Sequence, residues 1–167
     1  MNQPRVYKIE GRSPARRRPL SLIVRAPMAS VQLVERRPSV EEYCRLISAV
    51  GWKPRDAEAI SRALAASLFA ICAETNGEVI GMGRVIGDGG LHYYLTDVVV
   101  VPAHQHRGLG SQIVAALTKY VESIPFKNTW VGLFPVEGTA EFYARFGYKA
   151  QRPSGPAMFQ WLNKSDA

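Results

Sequence analysis

The sequence predicts an α+β domain, in which a central mixed sheet of six or seven strands is flanked by about four helices. Hydrophobic periodicity switches between the strand and helix periods in the order β-α-α-β-β-β-α-β-α-β-β. Asn76-Gly77 lies between two apolar runs and predicts a tight hairpin, hence antiparallel strands. A strand, a helix and a strand over residues 91–134 predict a crossover, hence a parallel pair. The two kinds of pairing together predict a mixed sheet.

The first half of the chain is predicted to alternate strands with two amphipathic helices. Its predicted elements are strands at 31–36, 68–75 and 78–86, and helices at 39–50 and 56–67. Ser39 and Glu42 have the spacing of a capping box, which fixes where the first helix begins. Asn76-Gly77 joins the last two of these strands, and these residue types favour the backbone that a two-residue hairpin turn requires.

The second half begins with the third strand of an antiparallel meander. Its predicted elements are strands at 91–101, 128–134, 148–151 and 157–162, a helix from the glycine loop to before Pro125, and a helix at 139–146. Ile113, Leu117 and Val121 follow the helical period, so the longer helix has one apolar face. No linker divides this region, and residues 28–167 are predicted to form a single domain.

The basic charge is concentrated in an N-terminal arm. The 167-residue chain has a formal net charge of +7, and residues 1–27 contain seven Lys or Arg against one acidic residue, Glu10. The remaining chain is therefore close to neutral. The arm contains several prolines, and we expect it to be a disordered extension. The alternatives are a targeting peptide and a segment that binds nucleic acid or phospholipid.

The composition indicates an ordinary folded protein of a reducing compartment. No apolar run approaches the ~20 residues of a membrane span. Cys44 and Cys72 lie in apolar segments without metal-ligand spacing, and no histidine has a partner at such spacing, so no metal is expected. A cytoplasmic location is expected, and targeting by the arm stays open.

A glycine loop after the strand at 91–101 predicts an anion site. Its sequence, Gln105-His106-Arg107-Gly108-Leu109-Gly110, leads into a helix. Glycines let a phosphate approach the main chain, and the N–H groups of the first helical turn are free to bind it. A dinucleotide-binding loop needs a third glycine where Ile113 stands, and a P-loop needs Gly-Lys followed by Ser or Thr. Neither pattern is present.

The remaining pattern, Q-x-x-G-x-G after an apolar strand, resembles the signature of the GNAT superfamily of acyl-CoA-dependent N-acyltransferases over about residues 31–162. The resemblance implies the GNAT fold and acetyl-CoA as acyl donor. By position it implies that His106, Arg107, Gly108, Leu109, Gly110 and Ser111 hold the pyrophosphate. It also implies that the main chain of Val99, Val100 and Val101 pairs with the pantetheine arm.

A second motif, Ala140-x-x-Tyr143-x-x-x-Gly147-Tyr148, resembles the closing helix of the same family. The resemblance implies that Tyr143 contacts the cofactor and donates a proton to the thiolate of coenzyme A. A phenol can protonate a thiolate that forms as the C–S bond breaks. Alone, Tyr143 would more often be a core tyrosine with a satisfied hydroxyl, and the paired motif reverses this preference. Many members carry asparagine where this chain has Glu137, which puts cofactor contacts at the start of this helix in question.

The general base and the acceptor pocket are less well defined. Asp97 is the candidate base because it is a carboxylate within an apolar strand, although a structural role suits it equally well. His92 is an alternative nearer the end of that strand. Trp52 and Arg84 are candidate substrate contacts. Packing of Trp52 at a helix end, and an ion pair of Arg84 with Asp88 or Asp97, are their structural alternatives.

The resemblance implies direct transfer of an acetyl group from acetyl-CoA to a primary amine. No acyl-enzyme is expected, because Cys44 and Cys72 lie far in sequence from the cofactor loop. A small-molecule amine is expected, since the near-neutral body offers no obvious acidic groove for a basic peptide. The alternatives are a non-catalytic acyl-CoA-binding regulatory module, a protein or peptide N-acetyltransferase, and an adaptor acting through the arm. No nucleic-acid or membrane partner is expected for the folded domain. Edge strands near the C-terminus favour a homodimer.

Overall fold

A computed structural model describes residues 6–7, 30–53, 55–150 and 157–162 of the chain. Within these ranges eight strands form one sheet in the order β1-β2-β3-β4-β5-β6-β8-β7. The strands are Val6–Tyr7 (β1), Gln32–Val34 (β2), Phe69–Thr75 (β3), Glu78–Gly87 (β4), His92–Val100 (β5), Thr129–Leu133 (β6), Lys149–Ala150 (β7) and Met158–Leu162 (β8). The α-helices are Val40–Ala49 (α1), Ala57–Ala65 (α2), Leu109–Glu122 (α3) and Ala140–Ala144 (α4).

Local chemistry sets the ends of the first elements. The Ser39 hydroxyl accepts a hydrogen bond from the Glu42 N–H, and the Glu42 carboxylate accepts one from the Ser39 N–H, so the predicted capping box begins α1. The Asp56 carboxylate caps α2 through the Ala59 N–H. Asn76 and Gly77 both have positive φ, which a two-residue turn matching the twist of its strands requires. The hairpin of β3 and β4 is therefore confirmed.

At strand β5 the sheet changes from antiparallel to parallel pairing. It pairs antiparallel with β4 along most of its length and parallel with β6 only at His92, Tyr93 and Tyr94. This parallel pair, with α3 as the crossover, confirms the predicted mixed sheet. Opposite Met82 and Arg84 the β5 strand contains one extra residue, a β-bulge, and Asp97 there has φ +50°. Beyond Tyr94, β5 runs on without β6 beside it.

Two cores lie on the two faces of the sheet. The larger core includes Ile113 and Leu117 of α3, and the smaller includes Leu46 and Ile47 of α1. Helix α3 lies very close to β4, because a Cβ added at Gly83 would meet Ile113 Cγ2 at 2.7 Å and Leu117 Cδ1 at 2.9 Å. A glycine at this position lets the helix approach the strand.

The predicted domain boundaries stay a prediction. Most of the basic arm lies outside the described residues, and of it only Val6–Tyr7 is placed, as a strand paired with β2. The segment between the last two predicted strands, residues 151–156, also lies outside them. Counting the two-residue strands β1 and β7 gives eight strands where six or seven were expected. Among the helices of the described ranges, none combines the length and apolarity needed to cross a membrane.

Tyr148 lies in the larger core and is 1% exposed. Burial raises the pKa of Tyr148 far above its usual value, and burial likewise raises the pKa of Tyr143 and Tyr120. The unfolded chain ionises these phenols near pH ~10 while the folded chain retains their protons. Unfolding then releases protons, so the contribution of these phenols to stability is fully present below pH ~10 and is lost as the pH rises above it.

We therefore expect Tyr148→Phe to make the alkaline loss of stability shallower. Between about pH 8 and about pH 11 the variant should lose about 1 kcal/mol less unfolding free energy than the wild type, the contribution of one proton. Urea denaturation at the two pH values measures the difference. Equal losses in the two proteins would contradict the assignment of this titration to Tyr148.

Candidate active site

The candidate site is the cleft that opens where β5 and β6 separate. A cavity of about 230 Å³ lies there, lined by β5 on one side and by the end of β6 and α4 on the other. Its walls are formed by Trp52, Ile86, Tyr94, Leu95, Thr96, Asp97, Val98, Leu133, Phe134, Val136 and Tyr143. Two predicted catalytic residues, Asp97 and Tyr143, and one predicted substrate contact, Trp52, thus border one space.

Tyr143 reaches the cleft from the short helix α4. Its ring packs edge-on against Phe142, with the ring centroids 4.9 Å apart. Burial raises the pKa of the Tyr143 phenol above its usual value. The group therefore carries its proton throughout the neutral range, which is the state that a proton donor requires.

Asp97 occupies the bulge of β5 and is bound by Arg84 of β4. The Arg84 Nε and Nη2 atoms both donate to Asp97 Oδ2, with Nε 2.8 Å from it. Asp97 Oδ1 has a longer contact, 3.4 Å, from the Thr96 hydroxyl. The carboxylate thus has one oxygen engaged by a guanidinium and one weakly engaged. Its role as a general base stays a prediction.

Arg84 is held inside the protein and does not line the cavity. Its side chain is 8% exposed, and besides binding Asp97 it donates to the Ala63 carbonyl at 3.0 Å and the Ser67 hydroxyl at 2.8 Å. Its donors are thus directed at protein acceptors on α2 and the following turn. Of the two ion pairs considered for Arg84, the structure contains the one with Asp97 and not the one with Asp88, and the assignment of Arg84 to substrate binding stays a prediction.

Trp52 follows α1 and forms part of two cavities. Beside the first lies a second cavity of about 310 Å³, lined by Tyr43, Ile47, Trp52, Lys53, Arg55 and Asp97. Sequence reasoning missed Tyr43, because the helical period placed it on the core face of α1. The Arg84 guanidinium lies 5.9 Å from the centre of the Tyr43 ring. Burial, and then the negative charge of Asp97, raise the pKa of Tyr43.

The predicted phosphate loop forms the start of α3. His106 and Gly108 have φ of +59° and +80°, and Gly108 is the N-cap. No side chain caps this helix, and the Gln112 N–H is the donor to the Gly108 carbonyl. The N–H groups of Leu109, Gly110 and Ser111 therefore precede the first helical hydrogen bond. His106, Arg107 and Gly108 are exposed, so the loop suits a phosphate group.

The pairing of β5 with β4 determines in which direction each of the three predicted valines points its main-chain groups. The Val101 N–H donates to the Ile80 carbonyl, and Val99 lies opposite Met82. Because hydrogen-bonded pairs alternate along antiparallel strands, Val99 and Val101 direct their main-chain groups toward β4. Val100 directs its groups to the open edge, where its carbonyl accepts a hydrogen bond from Gln105 Nε2 at 2.8 Å. Of the three, Val100 is thus the residue with an N–H toward the cleft.

The histidines lie away from the cavities. His92, the alternative base, is exposed, with Nδ1 3.3 Å from Asp88 Oδ2. Neither cavity includes His92 in its walls. In the described part of the chain no three His, Cys, Asp or Glu side chains are grouped to hold a metal ion. The expectation that no metal takes part stays a prediction.

Comparison with known proteins identifies the family. The sequence pattern of the Acetyltransferase (GNAT) family matches residues 37–148, more than half of the chain. The protein therefore belongs to the GNAT family of acetyltransferases. A Staphylococcus aureus structure described as a probable acetyltransferase is similar, with a TM-score of 0.70 and 30% identity, covering 75% of this chain and 94% of that one.

Other relatives are more distant. A Glycine max protein named histone acetyltransferase TAP1 is 29% identical over 129 residues, 71% of this chain. The chain spans 55% of the length of that soybean protein. A Pyropia yezoensis protein named uncharacterized N-acetyltransferase ycf52 is 26% identical, covering 72% of this chain and 70% of that one. A GNAT acetyltransferase from Brucella melitensis in complex with acetyl-CoA shares the fold, with a TM-score of 0.61 and 20% identity, covering 83% and 92% of the two chains.

Proposed function

We propose that the protein transfers the acetyl group of acetyl-CoA directly to the primary amine of a small molecule, with Tyr143 as the general acid. The observation that carries the proposal is the position of Tyr143. Its protonated phenol and the Asp97 carboxylate border one cavity, at the place where β5 has lost its neighbour strand. A proton donor and a carboxylate that border the same cavity suit acyl transfer, which needs one proton given to the leaving group and one taken from the amine.

The donor half of the site is proposed on the open edge of β5 and the start of α3. The free N–H groups of the first α3 turn, with Arg107, would bind the pyrophosphate, and the Val100 N–H would bind an amide of the pantetheine arm. These groups fit an extended, phosphate-bearing molecule. Acetyl-CoA supplies an activated acetyl thioester.

The proton movements are assigned to two residues. In the transfer a C–N bond forms and the C–S bond breaks. An acceptor that arrives as an ammonium ion loses two protons, one before it attacks and one as the amide forms, while the sulfur gains one, so one proton is released to solvent overall. Tyr143 is proposed to give its phenol proton to the sulfur. Asp97 is proposed to attract the ammonium form of the acceptor and to accept its proton at Oδ1, directly or through water, since Oδ2 is engaged by Arg84.

A protein acceptor is the second candidate, because the soybean relative is named a histone acetyltransferase. The described cavities favour a small molecule. They are open pockets of about 230 and 310 Å³, a size that suits a small ligand, and the second is lined by Lys53 and Arg55, which would repel a lysine-rich tail.

The proposal is tested by incubating the full chain with acetyl-CoA and a panel of amines while free thiol release is followed. We expect release that requires both an amine and the protein, with the acetylated amine found by mass spectrometry. Thermal stabilisation by acetyl-CoA without release on any amine would instead support the regulatory-module alternative. Release with histone peptides alone would support the protein-acceptor alternative.

A further inference from the structure

We propose that the acceptor is an amine that also carries a carboxylate, such as an amino acid with an apolar body, and that Lys53 and Arg55 bind its carboxylate. The inference rests on the proposed function and adds the class of the acceptor. It derives from the second cavity, which lies between α1 and the start of α2, on the other side of Trp52 and Asp97 from Tyr143.

The two cavities share two wall residues. Trp52 and Asp97 line both, whereas Tyr143 lines the first and Lys53 and Arg55 line the second. A molecule with its amine beside Asp97 can therefore extend along Trp52 toward the two cations. Trp52 and Ile47 offer apolar surface to the body of such a molecule, and Trp52 is 39% exposed.

The charge of the second cavity is positive. The negative charge of Asp97 is balanced by Arg84, so Lys53 and Arg55 add charge that the cavity walls do not neutralise. Neither cation has a hydrogen bond or an ion pair with any described residue. By contrast, Arg36, Arg45 and Arg62 all pair with glutamates. The nearest acid in sequence, Asp56, directs its carboxylate to the Ala59 N–H as the cap of α2.

Two unpaired cations beside a cavity of this size suit a small anion on the acceptor. A lysine or arginine bound to a carboxylate makes charge-assisted hydrogen bonds, which are stronger than neutral ones. A phosphate shares this chemistry. A carboxylate is favoured because the volume of about 310 Å³ also has to hold the body of the molecule against Trp52 and Ile47.

The test uses matched pairs of acceptors on the full chain. L-methionine is compared with 3-(methylthio)propylamine, L-phenylalanine with 2-phenylethylamine, and phosphoethanolamine with ethanolamine, by kcat/KM for thiol release. We expect the wild type to prefer each amino acid over its decarboxylated partner by about tenfold. The double variant Lys53→Ala, Arg55→Ala should lose that preference, because kcat/KM should fall by more for each amino acid than for its decarboxylated partner. Arg62→Ala, an exposed cation of α2 paired with Glu58, is the control and should keep it.

Two results would overturn the proposal: equal or better turnover of the decarboxylated amines by the wild type, or a preference that survives the double substitution. A larger preference for phosphoethanolamine would assign the cations to a phosphate and reject the carboxylate. If no amine is acetylated, the proposed function fails. Calorimetry then tests separately whether Lys53 and Arg55 bind a carboxylate. Binding of L-methionine to the protein saturated with coenzyme A, lost in the double variant, would uphold the anion site, and its absence in the wild type would reject it.

Discussion

Replacing Arg84 with alanine is expected to lower the free energy of unfolding by about 3–5 kcal/mol, the usual result of removing one partner of a buried ion pair. The Arg84 and Asp97 side chains are 8% and 14% exposed, so little water reaches them. The variant leaves the Asp97 carboxylate without its cation and the Ser67 hydroxyl and Ala63 carbonyl without their donor. Urea denaturation at neutral pH measures the change.

Arg62→Ala is the matched control for this prediction. Arg62 pairs with Glu58 at 2.6 Å, but the two side chains are 80% and 72% exposed. Solvent weakens such a pair, so the variant should change stability by about 0.5 kcal/mol or less. Comparable losses in the two variants would show that the burial of Arg84 adds nothing. Arg84→Lys, which keeps the charge without the two-pronged contact, should fall between them.

Replacing Tyr143 with phenylalanine is expected to lower kcat by about 10²-fold, at the lower end of the contribution of a positioned acid. The substitution removes the hydroxyl and retains the ring, which packs against Phe142. The fold and acetyl-CoA binding should therefore be kept. Because burial raises the pKa of Tyr143, the wild-type kcat should not fall through loss of this proton until the pH exceeds about 10.

Tyr120→Phe is the control for the loss of a buried phenol elsewhere. Tyr120 stacks on Phe69 with centroids 4.6 Å apart, and burial also raises its pKa, but it lines neither cavity. Its kcat should stay within about twofold of the wild type. Unchanged turnover by Tyr143→Phe, with acetyl-CoA still bound, would remove Tyr143 as the acid.

Features that depend on neighbouring residues in sequence could be predicted from the sequence. The capping box of Ser39 and Glu42, the turn at Asn76-Gly77 and the glycine loop before α3 are each encoded within a few residues. Their chemistry acts locally, so tertiary structure does not override it. The family signature added Tyr143, which the structure places at the cleft.

Features that depend on strand register could not be predicted in this way. The main-chain direction of a strand residue alternates, so a single extra residue reverses it for everything beyond. The bulge at Asp97 is not signalled by the apolar run around it, and it determines that Val100, rather than Val99 or Val101, directs its N–H to the cleft. Only the pairing with β4 reveals this.

Contacts between elements that are distant in the sequence also could not be predicted from it. The sequence is equally consistent with Arg84 binding a substrate and with Arg84 forming an ion pair. Arg84 pairs with Thr96 across β4 and β5, and this register places it beside Asp97, to which it donates a hydrogen bond. The helical period places Tyr43 among the apolar positions of α1. It borders a cavity because the chain leaves space beside Asp97 between α1 and the start of α2.

The separation of the two cores by the sheet has a consequence for how the protein can diversify. The α3 core supports the start of α3, where the donor is proposed to bind, and the α1 core supports the helix that borders the second cavity. Repacking of Leu46, Ile47 or Met82 would reshape the acceptor wall and leave the packing of Ile113 and Leu117 intact. The layout lets acceptor range evolve, or be engineered, as a module separate from donor recognition.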